Sequence, residues 1–485
     1  VLSKPHDTNR NGHFFSSGIA PNLNIIRIAC TTIKLGFRIR RNSKKVLKIS
    51  MINHHQQSKR TNNNQRGLYW FRHDLRLHDN AAISALCEAV QQVTFLYILD
   101  DKAFTPTTYG FAPMGKHRHT FLLQTLVDLK RQLAKLGHDL LIVKGDPAEC
   151  LVQLMKSGQY SHLGVSEHCG FDERAQLNTV KRFFDSVTVI ETPTFGLFDA
   201  QTLPFNIEEM PDVFSPFRRK VEKHCKPLSV HPPMESLPSP FTPQLDESFL
   251  FAIDTDLPSP SQSSFVGGET AALTHLNTYL FDWKAAATYK DTRNALDTWQ
   301  DSTKLSAWLA NGSLSAREVI RQVQQFEATV EKNDSTYWIY FELLWREFFH
   351  WLQCKYGANW FRFGGIQGKK PSTQHCPETF ALWCEGKTGY PIVDACMRQL
   401  AETGYMSNRG RQLVASCLVH ELTQDWRYGA AWFEHQLIDY DVGSNWGNWL
   451  YLAGVGSDPR GHRQFNLQKQ TEIYDSDGQF RKKWL

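Results

Sequence analysis

Between residues 67 and 192 short apolar, β-rich runs alternate with stretches of helical periodicity, and this alternation limits the fold more than any other feature of the chain. The runs are Leu68–Phe71, Val93–Leu99, Asp139–Val143, His162–Ser166 and Val187–Glu191, and helical periods begin near Ala81 and cover Lys116–Leu136 and Glu173–Phe184. Buried strands that alternate with helices form a parallel sheet covered on both faces, so 67–200 is expected to be a doubly wound α/β domain whose ligands sit beyond the carboxyl ends of its strands. Between Pro227 and Pro260 eight prolines fall within 34 residues, which forbids regular helix and weakens any sheet. Residues 201–265 therefore read as a Pro-rich interdomain linker. Beyond 266 the strand signal ends and helical periodicity takes over, in Ala271–Lys284, Ala316–Phe326, Tyr337–Tyr356, Ile392–Glu402 and Arg411–Trp426. The second domain, 266–485, is expected to be all helical.

The 485 residues suffice for two or three domains with real cores. Their net charge of +5 misleads, because residues 1–66 hold 13 Lys and Arg against the single acid Asp7. That local excess of +12 leaves the rest of the chain at −7, which excludes a globally basic, polyanion-wrapping body but not a local basic cleft. The segment 1–66 is a non-conforming basic extension. It reads either as upstream sequence before a start at Met51, giving a cytoplasmic protein, or as an organelle transit peptide. Ten cysteines are scattered without a CxxC pair, which suits isolated buried thiols in a reducing compartment. No run of 18 apolar residues exists to span a membrane as a helix.

Familiar cofactor signatures are missing. No GxGxxG follows a strand, Gly386-Lys387-Thr388 lacks the upstream glycine of a phosphate loop, and neither His54-His55 nor His117-Arg118-His119 has the companions of a metal site, so no metal is expected. Aromatic density is the unusual feature: nine of the fourteen Trp lie between Trp338 and Trp449. Large aromatics normally serve burial, yet a packed row of indoles also carries an oxidising hole from a buried redox centre. Asp301-Ser302-Thr303-Lys304-Leu305-Ser306 offers three hydroxyls ahead of a helical stretch, as a cap or as a phosphate seat. Glu342 and Arg346 lie four apart on one helix face, where a salt bridge is the default. Asp439-Tyr440-Asp441 and the glycine-containing 443–449 have the composition of a polar-lined pocket.

In this order the motifs resemble the photolyase and cryptochrome flavoprotein family over 67–485. The markers are Trp70-Phe71-Arg72-His73-Asp74-Leu75-Arg76 with His78-Asp79-Asn80, then Trp345-Arg346-Glu347-Phe348, Thr388-Gly389-Tyr390-Pro391-Ile392-Val393-Asp394-Ala395, and Asp439-Tyr440-Asp441. Within the family the chain is most similar to the cryptochrome DASH group, through 440–449 and the following 453–459. The resemblance implies an N-terminal doubly wound parallel-sheet domain plus a C-terminal all-helical FAD-binding domain.

It also implies residue roles. Tyr289 and Ser302, Thr303, Lys304, Leu305 and Ser306 would contact the phosphates and ribityl chain of FAD. Trp338, Arg346 and Asn408 would line the flavin, Asp439 and Asp441 would meet its adenosine and isoalloxazine ends, and Asn445 would face flavin N5 with an uncharged amide. The implied activity is that of a deoxyribodipyrimidine photolyase, a carbon–carbon lyase that splits cyclobutane pyrimidine dimers with light. Glu342 and Asn408 would hydrogen-bond the flipped bases, and Trp345 and Tyr451 would pack on them. Arg293, Arg409 and Arg463 would meet phosphates, joined on charge by Lys369 and Lys370. Electrons would pass along Trp449, Trp426 and Trp383 from flavin to surface. Tyr451 departs from the Trp of duplex-acting photolyases, and the lost stacking area implies preference for single-stranded or looped DNA. An antenna, 5,10-methenyltetrahydrofolate, would sit against the α/β domain near Glu167 and Glu173. The implied partner is dimer-bearing DNA, the protein a monomer with no membrane contact. The competing functions are a light-signalling photoreceptor and a DNA-binding regulator without catalysis.

Overall fold

The computed structural model describes residues 65–234, 236–246, 249–254, 265–458 and 463–485. The basic extension lies outside them except for Gln65 and Arg66. The first domain runs β1 (Arg66–Phe71), α1 (Ala81–Ala89), β2 (Gln92–Asp100), α2 (Lys116–Lys135), β3 (Leu140–Gly145), α3 (Pro147–Gly158), β4 (His162–Ser166), α4 (Phe171–Phe183) and β5 (Thr188–Thr192). The five strands are parallel in the order β3-β2-β1-β4-β5, the doubly wound sheet that the alternation demanded. Period-two alternation sorts the side chains: Tyr69, Phe71 and Phe95 meet α1 and α2 on one face, while Leu68, Trp70, Leu96 and Val165 meet α3 and α4 on the other. Helix α3 was not expected, although Asp146-Pro147 marks its start, with the Asp146 carboxylate accepting the Ala148 and Glu149 N–H groups.

The stretch read as a linker is docked where it is described. The helix Phe214–His224 stacks Phe214 on Trp345, with centroids 3.7 Å apart and planes within 10°. Ser239–Pro240 adds a two-residue strand beside the start of β2, and Leu250 bridges Val143. Proline suits such an edge because no ladder N–H is required of it.

The helical domain follows its periodicity, with helices Glu269–Asn277, Ala316–Thr329, Asp334–Tyr356 and Pro391–Thr403. The expected helix over Arg411–Trp426 is instead broken. Asn408–Ser416 passes into one π-type turn, Cys417–Glu421, and Thr423 takes φ +51°. Asp425 then caps a new helix, Trp426–Gln436, by accepting the Arg427 N–H at 2.9 Å.

What joins the two domains is the end of β1. The Arg76 guanidinium, 1% exposed, donates to the carbonyls of His78, Asp79, Thr194 and Gly312, so one cation ties three segments. Gly312 is obligatory there: its φ is +73°, and a Cβ would stand 1.9 Å from the His73 carbonyl oxygen. Asp79, itself at φ +45°, accepts from Arg317 Nε at 2.8 Å, from the Ser315 hydroxyl and from the His231 N–H. Glu269 accepts the Leu77 and His78 N–H groups and meets the His78 ring at 2.8 Å. A buried pair contributes little in sum, but stranding one member costs about 3–5 kcal/mol. Asp79→Ala, which leaves Arg317 buried and unpaired, should lower unfolding stability by roughly that amount. A loss below about 1 kcal/mol in urea titration, the range of an exposed pair, would show that the clamp is dispensable.

Candidate functional site

A cavity of about 560 Å³ opens inside the helical domain, within the roughly 300–1,000 Å³ usual for cofactor and ligand pockets. One helix, Asp334–Tyr356, supplies its spine. A capping box of Asn333 and Thr336 fixes its start, and its turns present Glu342, Trp345, Arg346 and Phe349 to the cavity. Arg346 is held by the carbonyls of Phe195 (2.9 Å) and Leu309 (3.1 Å), with its guanidinium 3.5 Å above the Phe195 ring. The next residue, Glu347, is fully buried and accepts the Leu197 N–H at 2.7 Å, so the same helix grips the α/β domain.

The inner wall gathers most of the residues expected at the cofactor. Tyr289 and the run Ser302, Thr303, Lys304, Leu305 and Ser306 line it together, with Asn408, Asp439, Asp441 and Asn445. The hydroxyl run is fixed from behind, where the His275 ring meets the Thr303 carbonyl at 2.9 Å and the Thr292 hydroxyl donates to that of Asp301 at 2.7 Å. Lys304, with φ +54° and 5% exposed, lies over the Tyr405 ring. Asp439 pairs with Arg411 at 2.8 Å through one carboxylate oxygen, while its Oδ1 has no protein partner, and Gln412 Oε1 is likewise buried and unpaired. Two orphaned acceptors on a cavity wall await donors from a ligand. Asp441 caps the helix Val442–Leu452 by accepting the Ser444 N–H. On that helix Asn445 donates its amide to the Ala430 carbonyl at 3.0 Å, which leaves an oxygen acceptor, not an acid, to present.

The outer part collects the residues expected at a substrate. Glu342 accepts from Arg293 at 2.6 Å and from Trp338 Nε1 at 3.1 Å, and burial pushes its carboxyl above the ordinary value against the pull of Arg293. Trp345 and Tyr451 meet edge to face at 6.0 Å, and Arg463, paired with Asp458, lies over Tyr451. All of these except Trp338 and Asp458 line the cavity.

Several expected residues sit elsewhere. Trp338, one turn below Glu342 on the same helix, does not line the cavity; it packs on Phe341 at 4.6 Å and orients the Glu342 carboxylate from behind. Arg409 donates to Asn294 and lies over Tyr474, a packing role outside the cavity. Lys369 and Lys370 are exposed and do not line this cavity. The indoles pack in a different order from the expected one. Trp449 lines the cavity and meets Trp383 directly at 6.2 Å, while Trp426 meets Trp446 at 5.8 Å. Trp383 has no exposed surface, since its helix turns it inward and its Nε1 donates to the Val414 carbonyl, so it is not a surface terminus. In the α/β domain Glu173 is engaged by His73 at 3.0 Å and lies 3.9 Å from His168, whereas Glu167 is held through its backbone, its N–H donating to the Thr192 carbonyl and its own carbonyl accepting from the Ser166 hydroxyl. The donor atoms of His73, His168 and Glu173 lie within 4.8 Å of one another, but they satisfy each other and the Gly170 N–H without an ion.

Sequence reading missed Arg411 and Gln412, which line the cavity. The signal for Arg411 was the buried acid itself, which needs a counter-ion, but 28 residues separate the pair. Beside Tyr440, whose hydroxyl accepts from Trp446 Nε1 at 3.3 Å, lies the half-buried acid Glu434, which desolvation raises to about 7 despite the charge of Arg118. A carboxyl raised on folding stabilises fully below its unfolded value and loses that contribution as pH rises through about 7. Compared with Glu434→Gln, the native protein should therefore lose stability between pH 5 and 8, by no more than about 3 kcal/mol, as melting temperatures over that range would record.

The comparisons agree with this geometry. Residues 67–240 match the DNA photolyase family, and 338–485 match the FAD binding domain of DNA photolyase. Cryptochrome DASH of Idiomarina loihiensis is 50% identical over 423 residues, covering 86% of this chain and 92% of that protein. Cryptochrome DASH of Xenopus laevis is 40% identical over 85% of this chain and 81% of its own. The crystal structure of Synechocystis cryptochrome superposes with a TM-score of 0.82 at 38% identity, covering 87% of this chain and 88% of its own. A class III photolyase from Agrobacterium tumefaciens gives a TM-score of 0.75 at 28% identity, covering 90% of this chain and 88% of its own.

Proposed function

The chain belongs to the photolyase and cryptochrome flavoprotein family, among its cryptochrome DASH members, and from that premise we propose that it is a light-driven, FAD-dependent lyase that splits cyclobutane pyrimidine dimers, above all in single-stranded or looped DNA. The observation that carries the reading is that one cavity gathers both the residues expected at a cofactor and those expected at a substrate. The inner wall fits FAD: hydroxyls of 302–306 and the Lys304 cation for phosphates, and the orphaned Asp439 and Gln412 oxygens for ribose or adenine donors. When bound, the flavin supplies light absorption and one-electron transfer, so no nucleophile or general base is asked of the protein.

The remaining work belongs to the chain. Asn445 offers a neutral acceptor that gives up no proton. Glu342, braced by Arg293 and Trp338, holds a carboxyl in the cavity for hydrogen bonds to the flipped pyrimidines. Trp345, pinned by Phe214, and Tyr451 form a right-angled apolar corner for two flipped bases. Arg463 and Arg293 bring positive charge to the same rim, while Lys369 and Lys370 remain proposals for the flanking phosphates on charge alone. Trp449, with Trp383 and Trp426 behind it, would serve as the electron relay. A 5,10-methenyltetrahydrofolate antenna near Glu167 belongs to the same reading, as does a monomeric protein, and folate absorbance in fresh preparations together with light scattering would check both.

Glu342→Ala should lower dimer splitting about 10- to 100-fold, the loss of one charge-assisted hydrogen bond, with FAD content unchanged. Tyr451→Trp should narrow the gap between strand states by about 1 kcal/mol of added stacking, or roughly fivefold, through faster repair of duplex. The deciding measurement illuminates the FAD-loaded protein with a dimer-bearing oligonucleotide, alone and annealed, and counts restored thymines. Repair of the single strand ahead of the duplex is expected. Equal rates would remove the strand preference, and no repair in either would leave the photoreceptor reading.

A further inference from the structure

Trp383, the expected surface end of the indole relay, is fully enclosed, and two lines of aromatic contacts lead on from the cavity instead. Both end at the same place. From Trp449 the contacts run to Trp383, with ring centroids 6.2 Å apart, then to Phe380 at 5.7 Å and from Phe380 to Tyr428 at 5.7 Å. From Trp426 they run to Trp446 at 5.8 Å and on to Tyr109 at 6.2 Å. The Trp449 ring rests on Gly429, where a Cβ would stand 2.3 Å from its Cη2, so it meets the helix that carries Trp426 within one turn of that residue. Tyr109 and Tyr428 meet edge to face at 5.2 Å. Tyr109 stands in a turn closed by the Gly110 N–H donating to the Thr107 carbonyl at 2.9 Å, and the following chain is fastened to the Trp426–Gln436 helix by Phe111 against Trp432 and the Gly115 N–H on the His435 carbonyl. Tyr428 lies flat on the His375 ring, with centroids 3.5 Å apart and planes 3° apart.

We propose that the Tyr109–Tyr428 pair is the electron outlet of this protein, with Tyr428, where the two lines join, the residue that finally carries the oxidation. The inference rests on the flavin reading above, and what distinguishes the tyrosines from the indoles is the fate of a proton. Trp383, Trp426 and Trp446 are buried, and each donates its N–H inside the protein, to the Val414 carbonyl at 3.0 Å, the Phe363 carbonyl at 3.0 Å and the Tyr440 hydroxyl at 3.3 Å. These acceptors are too weakly basic to take the proton, so an oxidised indole there keeps it and passes the hole on. A phenol loses its proton as it loses its electron, which traps the hole. Tyr109 and Tyr428 are half-buried, and among the described residues neither hydroxyl has a protein partner, which leaves solvent to receive the proton. For each electron the cofactor takes up, Trp449 loses one and regains it from the next oxidisable aromatic along. At the end Tyr428 loses one electron inward and its hydroxyl proton to water, leaving a neutral phenoxyl radical. An external thiol then gives a hydrogen atom to that oxygen, which restores the tyrosine and leaves a thiyl radical.

The test illuminates the full-length protein, loaded with oxidised FAD, with blue light and records the electron paramagnetic resonance spectrum of the frozen sample, with and without ring-deuterated tyrosine. Bleaching of the flavin in dithiothreitol is followed in parallel. A protein radical whose hyperfine structure narrows on deuteration is expected. Tyr109→Phe and Tyr428→Phe together keep both rings and remove both hydroxyls, so the doubly substituted protein should lose the tyrosine signal and bleach several-fold more slowly. A native radical that tyrosine deuteration leaves unchanged would overturn the proposal while the flavin reading stands, as would a doubly substituted protein with the native spectrum and bleaching rate. A native protein that takes up no FAD would remove both. The deuteration result on the native chain decides even if the substituted protein folds poorly.

Discussion

Everything in the molecule hangs on charges buried where the two domains meet. Among the described residues the Arg76 guanidinium is held not by a carboxylate salt bridge but by four backbone carbonyls from three segments. Asp79 neutralises Arg317 across the same junction, from a left-handed backbone that its neighbours impose. Such ions contribute little net stability because desolvation offsets their attraction, but they tolerate few alternative packings. The junction thereby fixes the position of Gly312 and the adjoining 302–311 region, which forms part of the cofactor wall. A sequence motif at the end of the first strand thus acts on a cavity in the other domain.

The 334–356 helix carries that order inward. Residues along it face different clients: Glu342, Trp345 and Arg346 the cavity, Glu347 the Leu197 backbone, and Cys354 the Arg174 side chain of α4. A continuous helix rises 1.5 Å per residue and transmits position along its length, so shifting one client shifts the rest. The orphaned oxygens of Asp439 and Gln412 leave polar order incomplete on the cavity wall, which is where a cofactor should supply donors.

The fold was legible because period-two and period-3.6 patterns survive in the sequence, and five strands and most long helices fall close to where the periods place them. The exceptions have local causes. Residues 411–426 are helical in pattern, yet a π-type turn and the left-handed Thr423 let Asp425 restart the chain in a new direction. The linker reading saw the prolines but not the docking of Phe214 on Trp345. Within the site, spacing and resemblance named which residues gather but not how deep each lies. Trp338 falls one turn behind Glu342, Arg409 packs under Tyr474, and Trp383 is wholly enclosed. The Arg411–Asp439 pair joins positions 28 residues apart, so no local pattern could announce it.

Because one unbroken rod serves both the junction and the cavity, a displacement at either end is felt at the other. On the proposed reading a dimer-bearing strand meets the Trp345–Tyr451 corner as it stands, so strands that bend or unpair at little cost are the ones that corner favours.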